Sequence, residues 1–391
     1  MQTADNPIWQ RGFRPFFLGA GFYAVLAMVL WWLFYSGRQP FMLTAISPMQ
    51  WHAHEMIYGY AMAVVAGFLL TAAGNWTGRT TATGGALAAL FALWLTARLL
   101  PLAGDGGLVW TALADGLFNL GLLLAVGRPI VQARQWRQAG ILAKLLLLTV
   151  GNGLFHAGAL QWITPAAVHW GLYGGFWLIV ALILTMSRRV VPFFIERGLG
   201  LDQPLTNHRL LDGLSLLAGV AIFIEQTFFP TAGWLPGLAL LAALAVGLRL
   251  AGWHRPGIWT KPMLWSLWVS QLWMVLGFLA LAARPWLPVS VWTGMHFLAV
   301  GGMGLITLAM MARVSLGHTG RNVNDPPPGV GRVFFWMSLA AAFRTLPIAA
   351  GVGQHQWWVE ISMALWVLAG VEFLRLYRPM LTAPRTDGKP G

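Results

Sequence analysis

The chain has no cysteine in 391 residues, and charged residues make up only 9% of it. Without thiols there is no disulfide, no thiolate-ligated haem, no iron–sulfur cluster and no covalent c-type haem attachment. Any metal must be held by imidazole, thioether, phenolate or carboxylate. A soluble globular chain carries about 25% charged residues. The scarcity of charge here, with 58% hydrophobic residues and a mean hydropathy of +0.65, reads as an all-α polytopic membrane protein whose partner is the lipid bilayer. Acidic residues are the scarcest, 12 against 25 basic. The net charge of +13 predicts no nucleic-acid partner, because the basic residues lie scattered between apolar runs and form no patch. No cleavable signal is expected either. Asn6–Arg14 is polar and the first apolar run is long enough to span.

Twelve apolar runs follow, each near the ~20 residues that a span needs: 15–36, 51–73, 82–100, 108–126, 139–160, 166–186, 208–229, 234–251, 261–282, 289–313, 330–349 and 356–377. The connections are short, which predicts a single 12-helix membrane domain over 15–377, flanked by an N-terminal segment (1–14) and a tail (378–391) whose last residues, Ala383–Gly391, read as disordered. The longest breaks are Arg188–Asn207 and Gly317–Gly329. All but four of the 25 Lys and Arg fall in the N-terminus, the even-numbered loops and the C-terminus; the exceptions are Arg38, Arg98, Arg284 and Arg344. By the positive-inside bias both termini of this multi-pass protein are cytoplasmic.

With that orientation, six of nine histidines share the external side. Trp51-His52-Ala53-His54-Glu55-Met56 opens helix 2, His156 ends helix 5, His169 begins helix 6, and His296 lies roughly 10 Å into helix 10 at 1.5 Å per residue; His355 sits in the loop before helix 12. His208, His254 and His318 lie on the cytoplasmic side. His52 and His54 are separated by about 200° around an α-helix, so they face opposite flanks and cannot chelate one ion. They are candidate ligands of two haems, with His169 and His296 as partners across them, while His156 is left for an open metal site, copper with Met or carboxylate help. The plainer alternative is that a histidine at a membrane interface only hydrogen-bonds a neighbouring helix. That reading is strongest for His355, His208 and His254.

Acidic groups share the outer depth. Glu55, Glu225 and Asp115 are candidate proton groups of a catalytic site, and Glu360 lies at similar depth; ionisable residues inside a membrane are costly and mark function by default. Arg98 and Arg344, against the charge bias, would pair with haem propionates or with Glu225 or Asp115, or snorkel at helix ends. The segment from His169 to Gly175 parallels that from His296 to Gly302, and helix 2 shows a weaker copy. Ligand-bearing helices four apart suggest three four-helix units. The small residues after each histidine leave room for a flat macrocycle, or else serve close helix packing. At the other face, Gly317-His318-Thr319-Gly320-Arg321 reads as a second metal site, a grip on a propionate through Arg321, or a glycine C-cap. Arg14, Arg79 and Arg313 read as propionate partners or as positive-inside anchors.

Taken together, Gly12-Phe13-Arg14-Pro15-Phe16-Phe17, the Trp51–Met56 motif, Ala66–Ala72 with Asn75-Trp76-Thr77-Gly78, and Arg313–Arg321 resemble the NnrS family, bacterial membrane proteins of the nitric-oxide response. The resemblance implies b-type haem, copper and relief of nitrosative stress. The layout is also similar to the haem-copper oxidase and nitric-oxide reductase plan, but helix 7 carries no adjacent histidine pair and the His-x-His lies on helix 2. Two functions from different classes follow. One is a redox metalloprotein that binds nitric oxide and reduces it to nitrous oxide near the periplasmic face, fed by quinol or an external electron carrier. The other is a metal or haem transporter or handling protein without turnover. A sensor is disfavoured by cytoplasmic loops too short for an output domain.

Overall fold

The structure, a computed structural model, describes residues 6–352 and 356–389; His355 lies outside the described residues. In lipid an apolar run can satisfy its own N–H and C=O groups only by coiling into a helix, and the expected runs do so. Among the described residues there are twelve long helices: α1 Phe13–Tyr35, α2 Pro48–Thr77, α3 Gly84–Leu99, α4 Leu108–Gln132, α5 Ala139–Ala159, α6 Ala166–Leu199, α7 Arg209–Phe228, α8 Leu235–Trp253, α9 Pro262–Ala282, α10 Val291–His318, α11 Val330–Ala349 and α12 Gln356–Thr382. No strand occurs among these residues. Ten helices are long and apolar enough to cross a membrane. The remaining two, α11 and α12, have 20 and 27 residues but carry Arg332, Arg344, Glu360, Glu372, Arg375 and Arg378.

Several boundaries differ from expectation, with α4, α10 and α12 running past 126, 313 and 377, and three differences have a local reason. α2 starts at Pro48, before the apolar run, because Ser47 and Gln50 form a reciprocal capping box with proline in the first turn. α6 runs through Arg188-Arg189 and Pro192 to Leu199, where a loop was expected, because Val191 and Ile195 are buried and Phe194 lies under the Arg313 guanidinium, 3.9 Å from its ring centre. The described part of the tail, to Lys389, makes specific contacts where disorder was expected: Arg385 donates to the carbonyl of His318 at 3.0 Å, and the Thr386 N–H to that of Thr319 at 3.1 Å.

The backbone is irregular at two matching places. α2 widens into a π-helical segment, Glu55–Ala61, directly after His54, and α10 does so at Phe297–Gly304 directly after His296. Such π-bulges recur at functional sites. Each follows a serine N-cap, Ser47 or Ser290. α6, the third carrier of the histidine pattern, shows no such widening, so the repeat that the backbone expresses links α2 with α10.

The chain divides into two compact units. The first comprises Met1–Leu178, Val314–Arg321 and Phe373–Gly391. In it α2 packs against α1 and α4, and α4 lies against α3 and α5. The second comprises Ile179–Arg313 and Asn322–Glu372. Here α8 packs between α7 and α9, and α10 against α9 and α11.

The glycines that follow the histidines are taken up by this packing. A Cβ on Gly175 would fall on the Tyr58 hydroxyl group, one on Gly301 on the Trp273 ring, and one on Gly302 on the Met274 sulfur. The space expected for macrocycles against these glycines is therefore filled by side chains of the same unit, and the small residues serve close helix approach. Gly175→Val is expected to lower stability by about 1–3 kcal/mol through overpacking, read as a drop in the thermal midpoint in detergent. An unchanged midpoint would show that Tyr58 can move aside.

Candidate metal centre

The site sits in the first unit, at the junction where α2 passes from α to π geometry. His54 is 2% exposed, and its ring stacks on Phe155 of α5 with centroids 4.2 Å apart. Its Nδ1 lies 2.8 Å from Glu55 Oε1, and its Nε2 lies 2.9 Å from Asn152 Oδ1 and 3.7 Å from Asp115 Oδ2. His156, also on α5, brings its Nε2 to 3.1 Å from the same Asp115 oxygen. One ligand atom each from His54, Asp115 and His156 therefore lies within 4.8 Å of the others, and all three residues are buried.

A second layer of side chains fixes these donors. Arg98 of α3 donates to Glu55 Oε2 at 2.6 Å and to Asp115 Oδ1. It thus spans both carboxylates and leaves Asp115 Oδ2 turned toward the histidines. Tyr23 of α1 donates to Glu55 Oε2, and the Asn119 amide donates to the Asp115 carbonyl at 2.8 Å. The π segment is itself anchored: Trp94 Nε1 donates to the Gly59 carbonyl at 3.0 Å, and the Tyr58 hydroxyl group to that of Gly171 at 2.7 Å. A Cβ at Gly59 would run into Tyr23, Arg98 and Glu55, so this position must be glycine for the network to close over it.

Charge bookkeeping defines what the cluster can accept. With Glu55 and Asp115 ionised, Arg98 cationic and both imidazoles neutral, the sum is −2 + 1 = −1, in a place that water does not reach. An uncompensated buried charge is strongly unfavourable. One added positive charge, a proton on an imidazole or a metal cation, removes the deficit. With Nδ1 held by Glu55, His54 turns Nε2 toward Asn152 Oδ1 and Asp115, so a metal at Nε2 would replace the hydrogen bond to Asn152 and complete the carboxylate–histidine–metal arrangement that orients most metal-bound imidazoles. Two imidazoles with one carboxylate suit borderline and hard divalent ions and Cu(II).

The other expected site residues lie elsewhere. His52 points to the opposite flank, as helical geometry predicts, and stacks on Trp31 of α1 with centroids 4.4 Å apart. The imidazole facing His54 is that of His156, their centroids 5.0 Å apart, whereas partners on α6 and α10 were expected. His169 stacks on Tyr173. His296, in the second unit, has Nδ1 2.6 Å from the Trp292 carbonyl and Nε2 3.2 Å from Arg344; the contact of Arg344 is with a histidine where a carboxylate was expected. Glu225, also in the second unit, accepts the N–H groups of Trp234 and Leu235 at 2.7 and 2.8 Å, capping the start of α8. Glu360 accepts from Gln356. Tyr23 and Asn152 belong to the centre but were not singled out from sequence. Their one signal was polarity inside an apolar run, which many residues share.

Fold and site together define a multi-pass helical membrane protein with a buried His/Asp cluster that could hold a metal ion. The chain belongs to the NnrS family, whose family model, described as NnrS protein, matches residues 7–385. No curated protein matches the chain.

Proposed function

We propose that this protein is a metalloprotein of the nitric-oxide response that holds copper at His54, Asp115 and His156, binds nitric oxide and relieves nitrosative stress in a bacterial inner membrane, with both termini cytoplasmic. One observation carries this reading: three buried ligand atoms converge within 4.8 Å of one another. Copper bound there would supply a coordination position for nitric oxide and a one-electron couple.

The chain's own residues do the rest. Arg98 holds Asp115 by one oxygen and turns the other inward. Glu55 sets the tautomer of His54. The chain Tyr23–Glu55–His54 can hold a proton beside the centre, and Phe155 covers one face of the His54 ring. Reduction to nitrous oxide would consume two nitric oxide molecules, two electrons and two protons and release nitrous oxide and water. Glu55 and Asp115 stand where protons are needed; electrons would come from quinol or an external carrier. Glu225, engaged as a helix cap in the other unit, is not assigned to this path.

Haem b fits less well. The glycine faces that were to seat macrocycles are filled. His52, His169 and His296 are the half-buried imidazoles that would ligate it. The deciding experiment is metal and haem analysis of the purified full-length protein, with absorption and EPR spectra before and after reductant and nitric oxide. Near-stoichiometric copper and consumption of nitric oxide are expected. Bound metal without consumption would move the protein to metal handling, and absence of metal would overturn the proposal.

A further inference from the structure

At the end of the first unit opposite the His54 end of α2, three segments meet: the start of α1, the turn after α10 and the chain after α12. Arg14 is fully buried. Its Nη1 donates to the carbonyls of Leu381 at 2.9 Å, Ala383 at 2.6 Å and Met380 at 3.5 Å, which caps the end of α12 with a cation. Its Nε and Nη2 are buried without a hydrogen-bond partner, as is Nη1 of Arg321. Gly320 takes a positive φ of +78°, open to glycine at no steric cost, and this turns the chain so that the Arg321 N–H reaches back to the Leu316 carbonyl at 3.0 Å. The Gly-His-Thr-Gly-Arg motif thereby brings Arg321 within electrostatic reach of Arg14, as does Arg385, which is tied to the His318 carbonyl.

Charge is unbalanced here. Arg11, Arg14, Arg321 and Arg385 interact with one another or with His318, and among the described residues of the contacting segments Asp387 is the carboxylate. Its two oxygens are committed to Arg385 at 2.8 and 2.6 Å. The sum is 4 − 1 = +3. Buried guanidinium N–H groups left unmade are costly, and like charges repel. A multidentate anion answers both problems. Guanidinium forks match phosphate oxygens, and a phosphate can bridge several forks where a carboxylate serves one.

We propose that Arg14, Arg321 and Arg385 form a binding site for a phosphate-class oxyanion, either free phosphate or the headgroup of an anionic phospholipid. The site lies apart from the metal centre and stands independently of its assignment. It gives the Gly317–Arg321 motif a role beyond a helix cap.

The test uses the full-length protein purified in phosphatidylcholine-doped detergent, with inorganic phosphate as probe and chloride at equal ionic strength as control. The wild-type thermal midpoint is expected to rise saturably with phosphate and not with chloride, as a ligand of the folded state requires. Arg321→Ala should weaken phosphate about tenfold or more, with Arg321→Lys intermediate. Arg14→Ala is a poor first variant because it also uncaps α12. Replacing phosphatidylcholine by phosphatidylglycerol separates the sources: loss of the phosphate response, with phospholipid retained through purification, identifies the headgroup, and an unchanged response identifies free phosphate. No phosphate-specific shift together with no retained phospholipid, or an Arg321→Ala response equal to wild type, would overturn the proposal.

Discussion

His54→Ala and His156→Ala should each leave the purified protein with less than about a hundredth of its wild-type metal affinity, since each removes a ligand where even an outer-shell change costs 10–100-fold. The two imidazoles and Asp115 share one small volume, so neither histidine can be replaced by the other. His52→Ala provides the contrast. It lies only two residues away, yet its ring stacks on Trp31 on the other flank of α2, and copper content should stay at the wild-type level. Glu55→Gln should fall between, about 10–100-fold weaker, because it keeps the shape and loses the charge that orients His54. The measurement is metal content against a competing chelator. If His54→Ala and His156→Ala retain wild-type affinity, the cluster is a structural network and not a metal centre.

The largest stability effect is expected at Arg98. Its guanidinium bridges the carboxylates of Glu55 and Asp115, and it is 4% exposed. Arg98→Met leaves two buried carboxylates facing each other's field, and removing one partner of a buried pair costs about 3–5 kcal/mol. Since Glu55, Arg98 and Asp115 come from α2, α3 and α4, the loss should appear as a lower midpoint for the whole unit. Arg98→Lys should recover little, because an ammonium on a single stem cannot fork across two carboxylates. Adding Glu55→Gln and Asp115→Asn to Arg98→Met should recover most of the loss, since the repulsion goes with the charges. If Arg98→Met melts with wild type, the ion network does not hold these helices together.

The helix pattern was legible because in lipid the backbone has so few alternatives that composition dictates structure. All twelve runs became helices. Boundaries failed where local chemistry outweighed hydropathy: a serine cap extended α2 backward, and buried Val191 and Ile195 carried α6 past its arginines. The opposite facing of His52 and His54 was also legible, since it follows from 3.6 residues per turn. Their partners were not. His54 meets Asn152 and His156, about a hundred positions along the chain, and nothing in a linear pattern states which helix lies against which. The repeat misled for a related reason: glycines after a histidine look alike whether they face a ligand or a neighbouring ring, and only packing shows Tyr58 and Trp273 in the space.

By itself, then, the sequence determined what acts locally: a helical membrane chain without thiol chemistry, and the two faces of the His52–His54 pair. The tertiary structure decided which of those groups meet. It drew Glu55, Asp115, His54 and His156 around Arg98, sent Glu225 to cap α8, gave His296 to Arg344, and closed Arg14 against Arg321 and the tail. Helix formation depends on neighbours within a few residues, whereas a site depends on side chains from distant helices arriving within a few ångströms, and that is fixed only when the helices pack.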